Sequence, residues 1–345
     1  MKLLLPMRTF LTKLLFKLPA SILIRWSGKE QIEKGYRKLD SGFQYLLKLM
    51  DDMGVKLDTT KQGAELRKDF EEGRGLVSLP IPSGIRTADH IVKSNGTEIR
   101  VREYAPESIG NIYPAVVYFH GGGWVIGSIE THETFTGFLA KELKAKIFSV
   151  DYRLAPEHPF PIPLADCEAA FNWVKDNALD LGINPNRVSV GGDSAGGNLS
   201  ASLCIKRKQE ELSMPKAQLL IYPVTDLTLK HPSMDEMAEG FYLTKASMEY
   251  FRDNYLEDKE LVKDPLVSPL FADDLSGHPP AVVVTAGFDP LRDEGDQYAQ
   301  ALRQANVEIY HRTHDSYIHG FVNMMLVDGV DYALKRICDD FKKIF

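Results

Sequence analysis

RVSVGGDSAGGNLSASLC, residues 187–204, joins a β-branched run to a helical one through a turn made almost wholly of small residues. Gly192-Asp193-Ser194-Ala195-Gly196 within it is a G-x-S-x-G. A serine on a sharp strand-to-helix turn holds strained backbone geometry, and flanking glycines let neighbouring backbone come close. Its hydroxyl then stands at the carboxyl end of a sheet, with a helix N-terminus beneath any anion formed there. A Gly-rich turn selected for shape alone also fits these residues. A phosphate loop does not, because no Gly-Lys-Ser/Thr follows the turn.

Outward from this turn, apolar runs alternate with helical ones. AVVYF (115–119), KIFSVDY (146–152), QLLIYPV (218–224), AVVVTAG (281–287) and VEIYHRT (307–313) join RVSVGG as short strand candidates. Several are apolar almost throughout, as strands buried on both faces should be. Cys167, Ala170, Phe171, Val174 and Ala178 form one helical stripe between strands, and Leu334, Ile337, Cys338, Phe341 and Ile344 form another. The alternation predicts an α/β fold with a mostly parallel sheet flanked by helices. HIVKSNGTEIRVREYAP (90–106) adds two β-type runs around Asn95-Gly96, a dipeptide suited to a tight hairpin. Residues 1–85 read as mostly helical, and the main α/β domain spans 86–345. The stretch from about 227 to 260 breaks the alternation, looks helical, and reads as an insertion that joins the N-terminus in a cap.

The chain has 345 residues, 44% of them hydrophobic, which suffices for a large core. Its formal charge, 41 − 48 = −7, argues against a nucleic-acid binder. The three cysteines make neither a disulfide framework nor a zinc site and read as core. In MKLLLPMRTFLTKLLFKLPASILIRW (1–26), Leu4, Met7, Leu11, Leu14, Leu15 and Leu18 share a helical stripe, with Lys2, Lys13 and Lys17 opposite, Arg8 at the border, and Pro19 as the expected stop. Two readings stand: the stripe packs on the body, or a basic amphipathic helix makes peripheral contact with a membrane surface. No run spans a bilayer and no secretory signal is evident, so the expected location is cytoplasmic.

A serine hydroxyl needs a base in hydrogen-bond reach and a third group holding that base. Among nine histidines, His311 and His314 lie in or just after the last strand, and His120 precedes three glycines. His319, in DSYIHGFVNM, follows the last strand on a loop that can reach the sheet's edge. Asp289 stands just past AVVVTAGF with Pro290 fixing the turn, whereas Asp293 and Glu294 fall at a helix start, where dipole and capping explain carboxylates. The expected triad is Ser194, Asp289 and His319. AVVYFHGGGWVIGS (115–128) runs a strand into His120-Gly121-Gly122-Gly123-Trp124. Three successive glycines expose N–H groups that can converge on an oxygen, each donor being worth about 3 kcal/mol to an oxyanion. Gly122, Gly123 and Ala195 are the candidate donors.

HGGGW, DYRLAPEHPFP, GDSAGG, DPLRDE and HGF, in this order from about residue 85 to the C-terminus, resemble the hormone-sensitive-lipase family of α/β-hydrolases. The resemblance implies a carboxylester hydrolase with an eight-stranded sheet and a helical cap, and it carries the triad and oxyanion hole onto the same residues. It gives His120, Asp151, Tyr152, Arg153 and Glu157 a bracing role. The implied reaction is a two-step acyl transfer on a small-molecule ester, without metal or cofactor. Short to medium acyl chains are expected, with Trp124, Phe241, Tyr242, Phe288 and Phe321 as candidate pocket residues or plain core. The rival from another class is a ligand receptor on the same scaffold, as in plant gibberellin receptors, which resemble the family but lack the histidine.

Overall fold

Every β-branched run named above becomes a strand. The computed structural model describes residues 12–74, 79–107 and 112–345. The strands are β1 (Ile85–Ser94), β2 (Thr97–Pro106), β3 (Tyr113–Phe119), β4 (Lys146–Val150), β5 (Ile183–Asp193), β6 (Gln218–Ile221), β7 (Ala281–Phe288) and β8 (Ile309–Ile318). They form one eight-stranded sheet in the order β8-β7-β6-β5-β3-β4-β2-β1. β2 runs antiparallel to β1 and β4, and all other pairs are parallel. Asn95 and Gly96, with φ of 48° and 80°, make the β1–β2 turn. This is the α/β-hydrolase fold.

The helices are α1 (Ala20–Trp26), α2 (Ser41–Asp52), α3 (Gly63–Arg74), α4 (Ile129–Leu143), α5 (Ile162–Asp176), α6 (Ala195–Gln209), α7 (Pro232–Glu236), α8 (Lys245–Tyr255), α9 (Arg292–Gln304) and α10 (Val330–Phe341). The two-residue period of each strand sorts side chains between two cores. Val116 and Tyr118 pack with Phe135 of α4 and Leu334 of α10 on one face. Ala115, Val117 and Phe119 pack with Phe171 of α5 and Leu199 of α6 on the other. Cys167, Cys204 and Cys338 are buried thiols in these cores.

One irregularity in the sheet positions the site. His314 pairs with Ala286, yet Ile318 pairs with Phe288, so β8 advances four residues while β7 advances two. This bulge in β8 sets His319 opposite Asp289; the unshifted register would put Tyr317 there. Gly287 makes room for it, since a Cβ at that position would lie 2.0 Å from the Asp315 carbonyl oxygen.

The N-terminal region departs from expectation in three ways. Leu4, Met7, Leu11, Lys2 and Arg8 lie outside the described residues. Pro19 does not stop a helix: residues 12–15 are helical, a turn closes them, and Pro19 is the N-cap of α1. Leu14 and Leu15 are 54% and 38% exposed, and Phe16, off the expected stripe, is the buried residue that anchors the segment among Leu39, Phe43 and Val327. The stretch 33–38, read as helix, is a two-stranded hairpin, Glu33–Lys34 with Arg37–Lys38, and α2 starts only where Asp40 accepts from the Gly42 and Phe43 amides. Residues 227–260 are α-helical only in α7 and α8, with loop between and a 3-10 turn starting at Lys259. Among the described residues no helix is long and apolar enough to cross a membrane.

Candidate active site

β5 delivers Ser194 to the carboxyl edge of the sheet, where its backbone takes φ 55°, ψ −119° before α6 begins. A non-glycine residue holds that conformation only when its surroundings over-determine it. Here the Ser194 amide donates to the Ile221 carbonyl at 2.8 Å, and the Ser194 carbonyl accepts from Asn198 at 3.0 Å. A Cβ on Gly192 would lie 2.3 Å from the Gly196 carbonyl carbon, and one on Gly196 1.9 Å from the Phe119 oxygen. Both flanking glycines are thus spatial requirements of the turn.

His319 bridges the serine and the acid. Its Nδ1 lies 2.8 Å from Asp289 Oδ2 and its Nε2 3.0 Å from Ser194 Oγ. An ionised carboxylate only accepts, so Nδ1 carries the proton and the Nε2 lone pair faces the hydroxyl. Asp289 Oδ1 also accepts from the Leu291 amide at 2.9 Å. Asp289 is fully buried, while Ser194 and His319 keep 7% and 5% exposure, so the chain of bonds lies largely out of water.

The glycine loop is tied to the nucleophile turn through the Gly121 amide, which donates to Asp193 at 3.0 Å. A Cβ on Gly121 would meet Asp193 Oδ2 at 2.5 Å, one on Gly122 the Ile126 oxygen at 2.1 Å, and one on Gly123 the Phe251 ring at 2.2 Å. Gly122 and Gly123 also take φ of 122° and 59°. Among the described residues no group accepts from the amides of Gly122, Gly123 or Ala195. The Tyr152 hydroxyl donates to the His120 carbonyl at 2.7 Å, and the two rings stack at 4.3 Å. Arg153 grips the buried Asp166 through Nε and Nη2, Asp151 accepts from Arg100, and Glu157 accepts from Arg67 of α3. All five residues of the implied bracing set therefore hold loops rather than face Ser194.

The five aromatic pocket candidates divide. Phe241 packs on Phe288 at 5.3 Å, Tyr242 reaches the backbone beside His319 at Gly320, and Phe321 meets Tyr222 edge-on at 5.4 Å. Trp124 is fully buried and stacked at 4.2 Å on Tyr255 of α8.

Several site-building residues escaped the sequence reading. Tyr222, just past β6, lies 4.5 Å from the His319 ring. Asp193 is a buried carboxylate that accepts from Tyr118 and the Gly121 amide. Glu294 is no exposed dipole partner: it is fully buried and accepts from the Thr225 and Asp226 amides at 2.7 and 3.1 Å. Burial drives its carboxyl well above the usual range, against the opposing pull of those two amides. Asp293 accepts from the Ser233 amide of α7, and the buried Arg292 joins the Gly287 carbonyl to Glu236 of α7. The DPLRDE stretch thus seats α7 as well as presenting Asp289. In sequence these carboxylates at a helix start are indistinguishable from caps.

A family model described as the alpha/beta hydrolase fold matches residues 116–323. The carboxylic ester hydrolase LipN of Mycobacterium tuberculosis is 40% identical over 287 residues, covering 81% of this chain and 74% of LipN. An arylesterase of Saccharolobus solfataricus is 37% identical over 268 residues, covering 77% of this chain and 87% of its own. Among solved structures, the ester-hydrolase EH1AB1 from the metagenome of Lake Arreo superposes with a TM-score of 0.84 at 37% identity, covering 88% of this chain and 98% of that one.

Proposed function

The chain belongs to the α/β-hydrolase fold family, as a carboxylic ester hydrolase, and from that premise we propose that it cleaves short- to medium-chain acyl esters through an acyl-enzyme on Ser194. One observation carries the reading: the unbroken run Asp289–His319–Ser194, with bonds of 2.8 and 3.0 Å. In this mechanism His319 Nε2 takes the Ser194 proton as Oγ attacks the ester carbonyl. The oxyanion is met by the amides of Gly122, Gly123 and Ala195. The proton then passes from His319 to the departing alcohol, and the same nitrogen activates the water that frees the acid. Asp289 remains ionised and fixes the tautomer. The filled histidine position favours catalysis over a receptor that only holds its ligand.

The acyl-chain limit rests on the cap, built in this reading from residues before 85 together with the 227–260 insertion. Phe241, Tyr242, Phe288 and Phe321 wall the substrate on the His319 side, and Trp124 with Tyr255 backs the glycine loop. The test is hydrolysis of p-nitrophenyl esters from C2 to C16 beside Ser194→Ala. Rates that peak at short or medium chains and vanish in the variant are expected. A folded wild type no faster than the variant on every ester would refute the reading.

A second reading concerns the N-terminal surface. Leu14, Leu15 and Trp26 are exposed beside exposed Lys13, Lys17 and Arg25, in a chain of net charge −7. That local excess of cations around apolar side chains suits peripheral contact with an anionic bilayer. Full-length protein should co-sediment with phosphatidylglycerol-containing vesicles, and Leu14→Glu/Trp26→Glu should abolish this. Equal partitioning of the two proteins would remove it.

A further inference from the structure

We propose that Asp193, the residue before the nucleophile, is a positioning residue for ester hydrolysis that aims the oxyanion donors through the Gly121 amide. The inference rests on the ester-hydrolase reading and deepens it.

Asp193 is 3% exposed and faces groups from four directions. Its Oδ1 accepts from the Tyr118 hydroxyl of β3 at 2.6 Å and from the Gly121 amide at 3.0 Å, and lies 3.4 Å from His132 Nε2 of α4. Its Oδ2 lies 3.5 Å from the Tyr222 hydroxyl, beside His319. The space that Oδ2 occupies is what forbids a side chain at Gly121. The peptide joining residues 120 and 121 is therefore gripped at both ends, its amide by Asp193 and its carbonyl oxygen by Tyr152 at 2.7 Å. Gly122 and Gly123 follow directly, at φ values that no side chain would hold in place. Further along, the Gly121 carbonyl lies 2.8 Å from His120 Nδ1, and the Gly122 carbonyl accepts from the Val125 and Ile126 amides at 3.1 and 2.9 Å. The Asp193 grip thus sets where this braced loop begins, and with it the direction of the N–H groups that follow.

A carboxylate is a costly choice there. Replacing a buried charge by an apolar group of similar shape is often neutral or stabilising. A bare negative charge beneath the glycine loop would also oppose the oxyanion forming above it. The surroundings answer both problems. His132 Nε2 faces the carboxylate, while its Nδ1 lies 2.8 Å from Thr131 Oγ1 and its ring stacks at 5.6 Å on His120. Burial alone would raise the carboxyl; the His132 charge and the bonds from His132 and Tyr118 outweigh it and hold it below the usual range. What remains is an ionised acceptor, whose hydrogen bonds are shorter and stiffer than those of an amide oxygen.

The test compares an aryl ester with its thionoester, in which sulfur replaces the carbonyl oxygen and accepts hydrogen bonds poorly. The wild type should favour the oxygen ester strongly. Asp193→Asn should shrink that preference by roughly tenfold, through kcat with little change in KM, because misdirected donors no longer distinguish oxygen from sulfur. Tyr118→Phe, which removes one hydroxyl and keeps the ring, should shrink it by about threefold and decides the matter alone if Asp193→Asn fails to fold. Equal losses on both esters in folded variants would overturn the inference, because Asp193 would then act on the fold or the triad. A wild type inert toward the oxygen ester would overturn the ester-hydrolase reading first, and this one with it.

Discussion

Gly123→Ala separates what the third glycine does for the chemistry from what it does for the fold. The new Cβ would sit 2.2–2.5 Å from three ring carbons of Phe251, where carbon atoms prefer about 3.5–4.0 Å, so the ring or the loop must move by more than 1 Å. Residue 123 also has φ +59°, which costs an alanine roughly 1–2 kcal/mol. If the loop yields, the Gly123 amide loses its aim, and one misdirected donor is worth about 3 kcal/mol, or on the order of a hundredfold in kcat. The obstacle is a side chain and can be removed. In a Phe251→Ala background the same Gly123→Ala step keeps only the φ strain and should cost less than about tenfold. Gly122→Ala is the control: its obstacle is the backbone oxygen of Ile126 at 2.1 Å, so its penalty should be the same in both backgrounds. The assay is kcat and KM on one short-chain p-nitrophenyl ester for wild type, the three single variants and the two doubles, each checked by thermal melt. An equal Gly123→Ala penalty with and without the Phe251 ring would refute the steric account.

Acid should destabilise the protein well before its carboxylates titrate. Burial lowers His120, His278 and His314 from 6.5 to about 4, so between those values the unfolded chain binds more protons than the folded one and stability falls as pH falls. Each histidine should withdraw about 2 kcal/mol by pH 4.5. Glu294, raised by burial, works in the opposite sense. His278→Leu/His314→Phe should flatten the drop in urea midpoint from pH 7 to 4.5, and an unchanged slope would count against it. Arg67→Met should loosen α3, because Arg67 donates to the Val125 and Ala155 carbonyls at 2.8 and 2.9 Å. About 1–3 kcal/mol of stability should go, and amide exchange should quicken at 63–74 and 122–126; exchange faster everywhere by one factor would show only global weakening.

The sheet was legible because parallel strands buried on both faces must be apolar throughout. AVVVTAGF is the plainest instance, every residue of β7 being buried. Ser194, His319 and Asp289 could be picked because each follows a strand, and parallel strands end at one edge of a sheet. The slip in β8 left no trace, since a two-residue bulge preserves the alternation of faces. EKGYRK, polar throughout, gave no sign of its hairpin. Phe16 took the anchoring place expected of the leucines, and the glycine it packs beside, Gly42 of α2, is required by another neighbour: a Cβ there would lie 2.6 Å from Val327 Cγ1. Asp193, Tyr222 and Glu294 were invisible for a different reason. Their partners are backbone amides and hydroxyls brought together only by tertiary folding, and no spacing records that.

The bulge in β8 has a second effect, on self-association. β8 is the last strand of the sheet, and the outer side of such a strand can template another chain. The break between His314 and Ile318 disrupts the regular spacing that a second strand would need. At the same place Arg37 pairs with Asp315, and the Asp40 amide donates to the Ser316 carbonyl, so the chain's own beginning occupies that end of the edge. One irregularity thus aligns His319 with Asp289 and blunts the strand against aggregation. Excising Asp315-Ser316 would straighten the strand while leaving Ile318 level with Phe288 and His319 level with Asp289, so the flat, open edge should cost solubility without turning another residue toward Asp289.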